Sequence, residues 1–155
     1  MWLKITNNYS PNFSKVKRPK NQIKFIIIHY TGMRKESAAI KRLCDQKSKV
    51  SAHYFIKRNG NILRLVPDLY EAWHAGKSNW KKFKSLNKNS IGIEIQNSGH
   101  NYVYENFQIH MYIYIYIYIH IFIYVDLRLH TLLEFDQNCS LSTICIIPRS
   151  EAQTQ

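Results

Sequence analysis

The sequence predicts an α/β domain with a mixed central β-sheet flanked by helices, and three observations carry that prediction. Ile23-Lys24-Phe25-Ile26-Ile27-Ile28 is a short, β-branched, nearly continuous apolar run, the pattern of a central strand covered on both faces. Glu36 to Lys47 sets Ile40, Leu43 and Cys44 at helical spacing, with Ala38 and Ala39 beside them. Ala52 to Lys57 and Asn61 to Val66 flank Arg58-Asn59-Gly60, where Asn-Gly would supply the two positive-φ positions of a tight antiparallel hairpin.

The elements follow in order. Residues 1–22 are rich in Asn, Ser, Pro and Lys and read as an irregular lead-in arm. Strand, loop, helix and hairpin come next. Tyr70 to Asn89 carries Trp73, Gly76, Trp80 and several lysines without any period, so a long surface loop is expected there, the kind of segment that often binds. Ser90 to Gln96 is a further strand, with Ile91, Ile93 and Ile95 on one face and Gly92, Glu94 and Gln96 on the other.

A chain of 155 residues suffices for one domain of ordinary size. Its net charge of +12 is uneven: residues 1–107 hold 20 Lys+Arg against 6 Asp+Glu, and residues 108–155 hold 2 against 4. The lysines are scattered, and neither paired aromatic RNP runs nor a helix-turn-helix pattern accompanies them. They read as a solvated surface rather than a nucleic-acid interface. Cys44, Cys139 and Cys145 form no CxxC pair and are odd in number, which suggests a reducing compartment. The opening residues turn polar by Asn7 without an apolar leader, so the cytoplasm is the expected location.

From Ile109 to Val125 the chain alternates Ile and Tyr. As a strand it would be about twice the usual length, with an edge prone to pair with copies of itself and to aggregate. As a membrane span it is short and polar for ~30 Å of hydrocarbon, with His110, His120 and alternate tyrosines inside it. A TATATATA repeat in the gene explains the alternation, since TAT and ATA encode Tyr and Ile. Residues 108–155 are therefore expected to be low-complexity and not native to the fold, which leaves 23–107 as the domain.

Two residues carry candidate chemistry. His29 follows the isoleucine run and projects from the carboxyl end of a buried strand, where sheets present groups to a cleft; a hydrogen-bonded structural histidine is the plainer alternative. Glu94 is a carboxylate within Ile91-Gly92-Ile93-Glu94-Ile95. Its burial calls for a nearby cation or a retained proton, and a salt bridge to a lysine would satisfy it as well as a site would.

Five strings then appear in order over about 85 residues: Phe25-Ile26-Ile27-Ile28-His29-Tyr30-Thr31; Val50-Ser51-Ala52-His53-Tyr54-Phe55-Ile56; Asn59-Gly60 with Leu65-Val66-Pro67-Asp68; Ala72-Trp73-His74-Ala75-Gly76; and Asn89-Ser90-Ile91-Gly92-Ile93-Glu94. Together they resemble the type 2 N-acetylmuramoyl-L-alanine amidases, a family that includes phage amidases and the peptidoglycan recognition proteins. The resemblance implies that family's fold and a monomeric zinc hydrolase cutting the bond between N-acetylmuramic acid and L-alanine in peptidoglycan or muropeptides. It makes His29 the first zinc ligand and Glu94 the catalytic acid-base group acting on water, with His53, Trp73 and His74 beside the substrate. The basic surface would suit an acidic cell-wall fragment.

The resemblance also implies two later zinc ligands, a histidine after glycine and an Asp or Cys about ten residues on. Past Phe107 the candidates are His130 with Asp136 or Cys139, without the family's surrounding residues. The C-terminal part is thus expected to be truncated or replaced and activity impaired. A peptidoglycan-binding module without catalysis, or an inactive fragment, is the alternative.

Overall fold

The computed structural model describes residues 5–80, 82–98, 108–110, 113 and 115, together with the backbone of Cys145 and Ile146. The described residues include the strands and helix β1 Ile5–Asn7, β2 Phe13–Ser14, β3 Phe25–Tyr30, α1 Glu36–Cys44, β4 Tyr54–Ile56, β5 Ile62–Arg64, β6 Glu71–Ala72, β7 Asn79–Trp80, β8 Phe83–Lys84, β9 Ser90–Ile95 and β10 Cys145–Ile146. Six of them form a mixed sheet in the order β1-β5-β4-β9-β3-β10. Among the described residues β4 and β5 are the only antiparallel neighbours in it, as the hairpin requires. β3–β9, β4–β9, β1–β5 and β10–β3 run parallel.

The isoleucine runs explain the centre. β9 is buried along its whole length because β3 and β4 pair with its two edges and side chains cover both faces. Ile91, Ile93 and Ile95 share one apolar layer with Ile26, Tyr54, Ile56 and Ile62, while Gly92 and Glu94 turn to the opposite face. That second face packs α1 through Ala39 and Leu43 against Phe55, Leu63 and Leu65. Each fully buried isoleucine or leucine contributes about 1.5–3 kcal/mol, so the two layers dominate the fold's stability.

Several boundaries differ from expectation, each for a local reason. The first strand begins at Phe25 because Lys20–Gln22 form a 3₁₀ turn closed by the Ile23 amide on Lys20. It runs on through His29 and Tyr30 because these pair with Glu94 and Ile95. α1 stops at Cys44, since Asp45 is extended and its carboxylate accepts the Lys47 amide, starting a separate 3₁₀ turn. Of the Asn-Gly pair only Gly60 has positive φ, at 82°. The Gly60 amide donates to the Lys57 carbonyl and Lys57 to Asn61, so the hairpin closes through a longer turn ending on a left-handed glycine, not the two-residue turn expected. The loop from Tyr70 to Asn89 contains β6, the β7–β8 hairpin and a 3₁₀ turn over Leu86–Asn89.

The lead-in arm is not wholly irregular. β1 adds a parallel strand beside β5, and β2 pairs with β6. At the other end, residues 108–110, 113 and 115 have helical backbone. The Gln108 side chain donates to the Gln96 carbonyl at 2.7 Å, and Ile115 is fully buried in the isoleucine layer. The chain beyond Phe107 thus reaches the sheet through Gln108, Ile115 and the pairing of β10 with β3, which low-complexity composition did not suggest. Among the described residues no helix is long and apolar enough to cross a membrane.

Candidate active site

The parallel register of β3 and β9 sets His29 directly beside Glu94. Both are nearly buried, at 7% and 8% exposure, and both line a cavity of about 150 Å³ with Trp73 and His74. Leu43 and Val50 give the cavity apolar walls, and the exposed side chains of Arg42 and Lys49 stand where it opens. Two groups far apart in sequence thus meet in one cleft because two buried strands are neighbours in the sheet.

Hydrogen bonds settle the protons in this cluster. Ser90 Oγ donates its one proton to the Leu86 carbonyl at 2.6 Å, so toward His74 Nε2, 3.1 Å away, it accepts. His74 therefore carries its proton on Nε2, and its bare Nδ1 accepts from His29 Nε2 at 3.0 Å. The His74 backbone is fixed as well. Asn87 Oδ1 accepts the amides of His74 and Ala75 at 3.1 and 2.8 Å.

His53 is not among the cavity's lining residues; it stands behind the wall, fully buried. Its Nδ1 accepts the Gly92 amide at 2.9 Å, which puts the proton on Nε2, facing the Tyr70 carbonyl at 2.9 Å. Arg18 NH2 lies 2.9 Å from the same nitrogen. The His53 ring meets that of His74 edge-on, with 5.8 Å between centroids.

Both inner imidazoles are held neutral. Burial, then the Arg18 charge, push His53 down to about 3, against the raising effect of its bond to Tyr70. Burial pushes His74 well below the ordinary histidine value, and the neighbouring His29, His53 and Arg18 add to this. Above pH ~6.5 folded and unfolded chains are both neutral at these sites, and their contribution to stability is complete. As pH falls through ~6.5 the unfolded chain takes up protons that the folded chain refuses, so stability drops by about 1.4 kcal/mol per unit for each histidine. Urea unfolding between pH 7.5 and 5 should show that decline, and His53→Gln should flatten it by about one histidine's share. An equal slope in the variant would contradict the burial of a neutral ring.

Of the residues singled out in the sequence, His29, Glu94, Trp73 and His74 share the cavity and His53 supports it. His130, Asp136 and Cys139 lie outside the described residues. Among the described residues no group of three His, Cys, Asp or Glu converges as a metal site. A catalytic zinc takes three protein ligands and an open position, so these residues alone do not fit one. Arg18, Asn87 and Ser90 order the site without having been foreseen, since nothing in their residue types or spacing separates them from the surrounding polar chain.

Comparison with known proteins decides the family. The sequence profile of the N-acetylmuramoyl-L-alanine amidases matches residues 19–119, well over half of the chain. The chain belongs to this family. The match runs past Phe107, in accord with the packing of Gln108 and Ile115. N-acetylmuramoyl-L-alanine amidase AmiD of Escherichia coli strain K12 is 41% identical over 85 residues, covering 50% of this chain and 30% of AmiD. The 1,6-anhydro-N-acetylmuramyl-L-alanine amidase AmpD of Haemophilus influenzae is 32% identical over 106 residues, covering 57% of each chain. The present amidase-family chain therefore spans only about a third to a little over half of the length of these relatives. A solved complex of E. coli AmiD with anhydro-N-acetylmuramic acid-L-Ala-D-γ-Glu-L-Lys superposes with a TM-score of 0.59 at 33% identity, over 71% of this chain and 47% of that one.

Proposed function

We propose that this chain acts on the amide between N-acetylmuramic acid and L-alanine in peptidoglycan fragments. The observation carrying the proposal is the pairing of His29 with Glu94 at the wall of a cavity, inside the stretch that matches the amidase family. Glu94 would serve as the acid-base group. It takes a proton from water as the water oxygen bonds to the amide carbon, and returns it to the L-alanine nitrogen as the C–N bond breaks. Trp73 and His74 line the approach, Trp73 offering a flat apolar surface to the sugar or lactyl group. His53 works at one remove, by holding Gly92 and hence the strand that carries Glu94.

The family is generally zinc-dependent. On this reading His29 is one ligand and the others come from outside the described residues, where His130 with Asp136 or Cys139 are the candidates. A second reading has a specific observation behind it: without three converging ligands among the described residues, the cleft would bind muropeptides and not cut them.

Incubating the purified full chain with N-acetylmuramoyl-tripeptide and with its 1,6-anhydro form, with and without added zinc, distinguishes these readings by mass spectrometry and calorimetry. Release of free tripeptide supports hydrolysis, and the preferred form identifies a soluble anhydro-muropeptide or a wall-derived substrate. Saturable binding without release supports the second reading. If neither fragment binds, both fail.

A further inference from the structure

The arm before β3, expected from sequence to be an irregular lead-in, buries three polar side chains against the walls of the cleft. Ser10 Oγ donates to the Leu43 carbonyl at the end of α1. Asn12 Nδ2 donates to the carbonyls of Asp45 and Val50 at 2.8 and 2.9 Å, and the Asn12 carbonyl accepts Ser51 Oγ. Ser51 Oγ in turn accepts the Trp73 amide at 2.9 Å. Leu43, Val50, Ser51 and Trp73 all line the cavity.

Arg18 completes the arrangement. It is 6% exposed, and its guanidinium donates to the Asn87 carbonyl at 2.7 Å and the Asp68 carbonyl at 3.0 Å while lying against His53 Nε2. Asn87 is the residue whose side chain holds the His74 and Ala75 amides. One cation thereby ties together the loop before β6 and the turn before β9, and packs against the His53 ring. Burying a guanidinium is costly, and Arg18 Nε is itself buried with no hydrogen-bond partner among the described residues, so packing alone gives little reason for arginine here. Arg18 reaches the two carbonyls from separate nitrogens held in one plane, whereas a lysine ammonium has all its donors on a single nitrogen.

We propose that the Ser10–Arg18 arm supports the muropeptide site from behind its walls and that Arg18 is its positioning residue, acting through Asn87 on His74 and by packing against His53. The proposal rests on the amidase-family reading of the cleft, and its substrate is the same N-acetylmuramoyl peptide. Arg18 touches neither the cavity nor the reacting atoms; it fixes the rings behind them.

The test uses the full chain, N-acetylmuramoyl-L-alanyl-D-isoglutamine as probe, and imidazole ¹⁵N resonances as a readout independent of the probe. Arg18→Gln is compared with Arg18→Lys and with Ile62→Val, which trims the opposite apolar layer and lowers stability without touching the cleft. Arg18→Gln is expected to move the ring resonances of His53 and His74 and to weaken probe affinity at least tenfold. Arg18→Lys, which keeps the charge but not the fork, should stay folded and recover only part of that loss. Ile62→Val should leave resonances and affinity unchanged. Wild-type resonances and affinity in either Arg18 variant, or an equal affinity loss in Ile62→Val, would overturn the proposal. If the wild-type chain itself does not bind the probe, the functional reading of the cleft fails, and the histidine resonances still decide whether Arg18 orders the rings.

Discussion

Glu94→Gln is expected to lower release of peptide from N-acetylmuramoyl-tripeptide by about 100-fold or more while leaving the chain folded and able to bind. The carboxylate lines the cavity beside His29, and the amide of glutamine keeps its size and hydrogen-bonding shape but cannot accept a water proton at neutral pH. General acid-base groups typically contribute 10²–10⁴-fold, which sets the scale of the loss. Because β9 is buried throughout, a substitution of another shape would disturb the sheet and confuse a lost proton acceptor with a lost fold. The measurement is the single-turnover rate beside probe affinity and thermal midpoint. A rate within threefold of wild type at unchanged affinity would remove Glu94 from the chemistry. Equal loss of rate and affinity would make it a binding group instead.

How much of this arrangement can be read from the sequence depends on what each residue answers to. β3 and β9 are legible because a continuous isoleucine run has few destinations other than the middle of a sheet, and their side-chain alternation already separates Glu94 from Ile93 and Ile95. That His29 and Glu94 share a cleft follows once the two strands are neighbours, but neighbourhood is a matter of topology and had to come from the family resemblance. The hairpin at Asn59-Gly60 was legible in place and not in turn type, since closure from Lys57 to Asn61 needs only one left-handed residue. Ser10, Asn12 and Arg18 were illegible for a different reason. They are buried to satisfy backbone groups of loops far away in the chain, and no local period records that demand. Ile115 illustrates a third case: strict Ile/Tyr alternation favours a strand, yet its backbone is helical and its side chain fills the isoleucine layer, so packing outweighs local propensity there.

Gly92→Ala should be strongly damaging for so small a substitution. A Cβ at that position would stand 2.3 Å from His74 Cγ and 2.5 and 2.6 Å from Cδ2 and Nδ1, far inside contact distance. The ring has little room to yield. Its Nε2 is held by Ser90, its Nδ1 by His29, and its backbone by Asn87. The strand has as little, because the Gly92 amide bonds His53 Nδ1 and its carbonyl accepts the His53 amide, both at 2.9 Å. The methyl group must therefore push His74 out of its hydrogen bonds or pull β9 from β4. Overpacking of this kind costs about 1–3 kcal/mol before the lost hydrogen bonds are counted, each adding about 1 kcal/mol. The expectation is a lowered unfolding free energy together with loss of muropeptide binding, and the cause can be isolated by a double-mutant cycle. In a His74→Ala background the added methyl group meets open space, so Gly92→Ala should cost less there by about 1–3 kcal/mol. Additive costs in the two backgrounds would mean that the glycine answers to something other than the histidine ring packed on it.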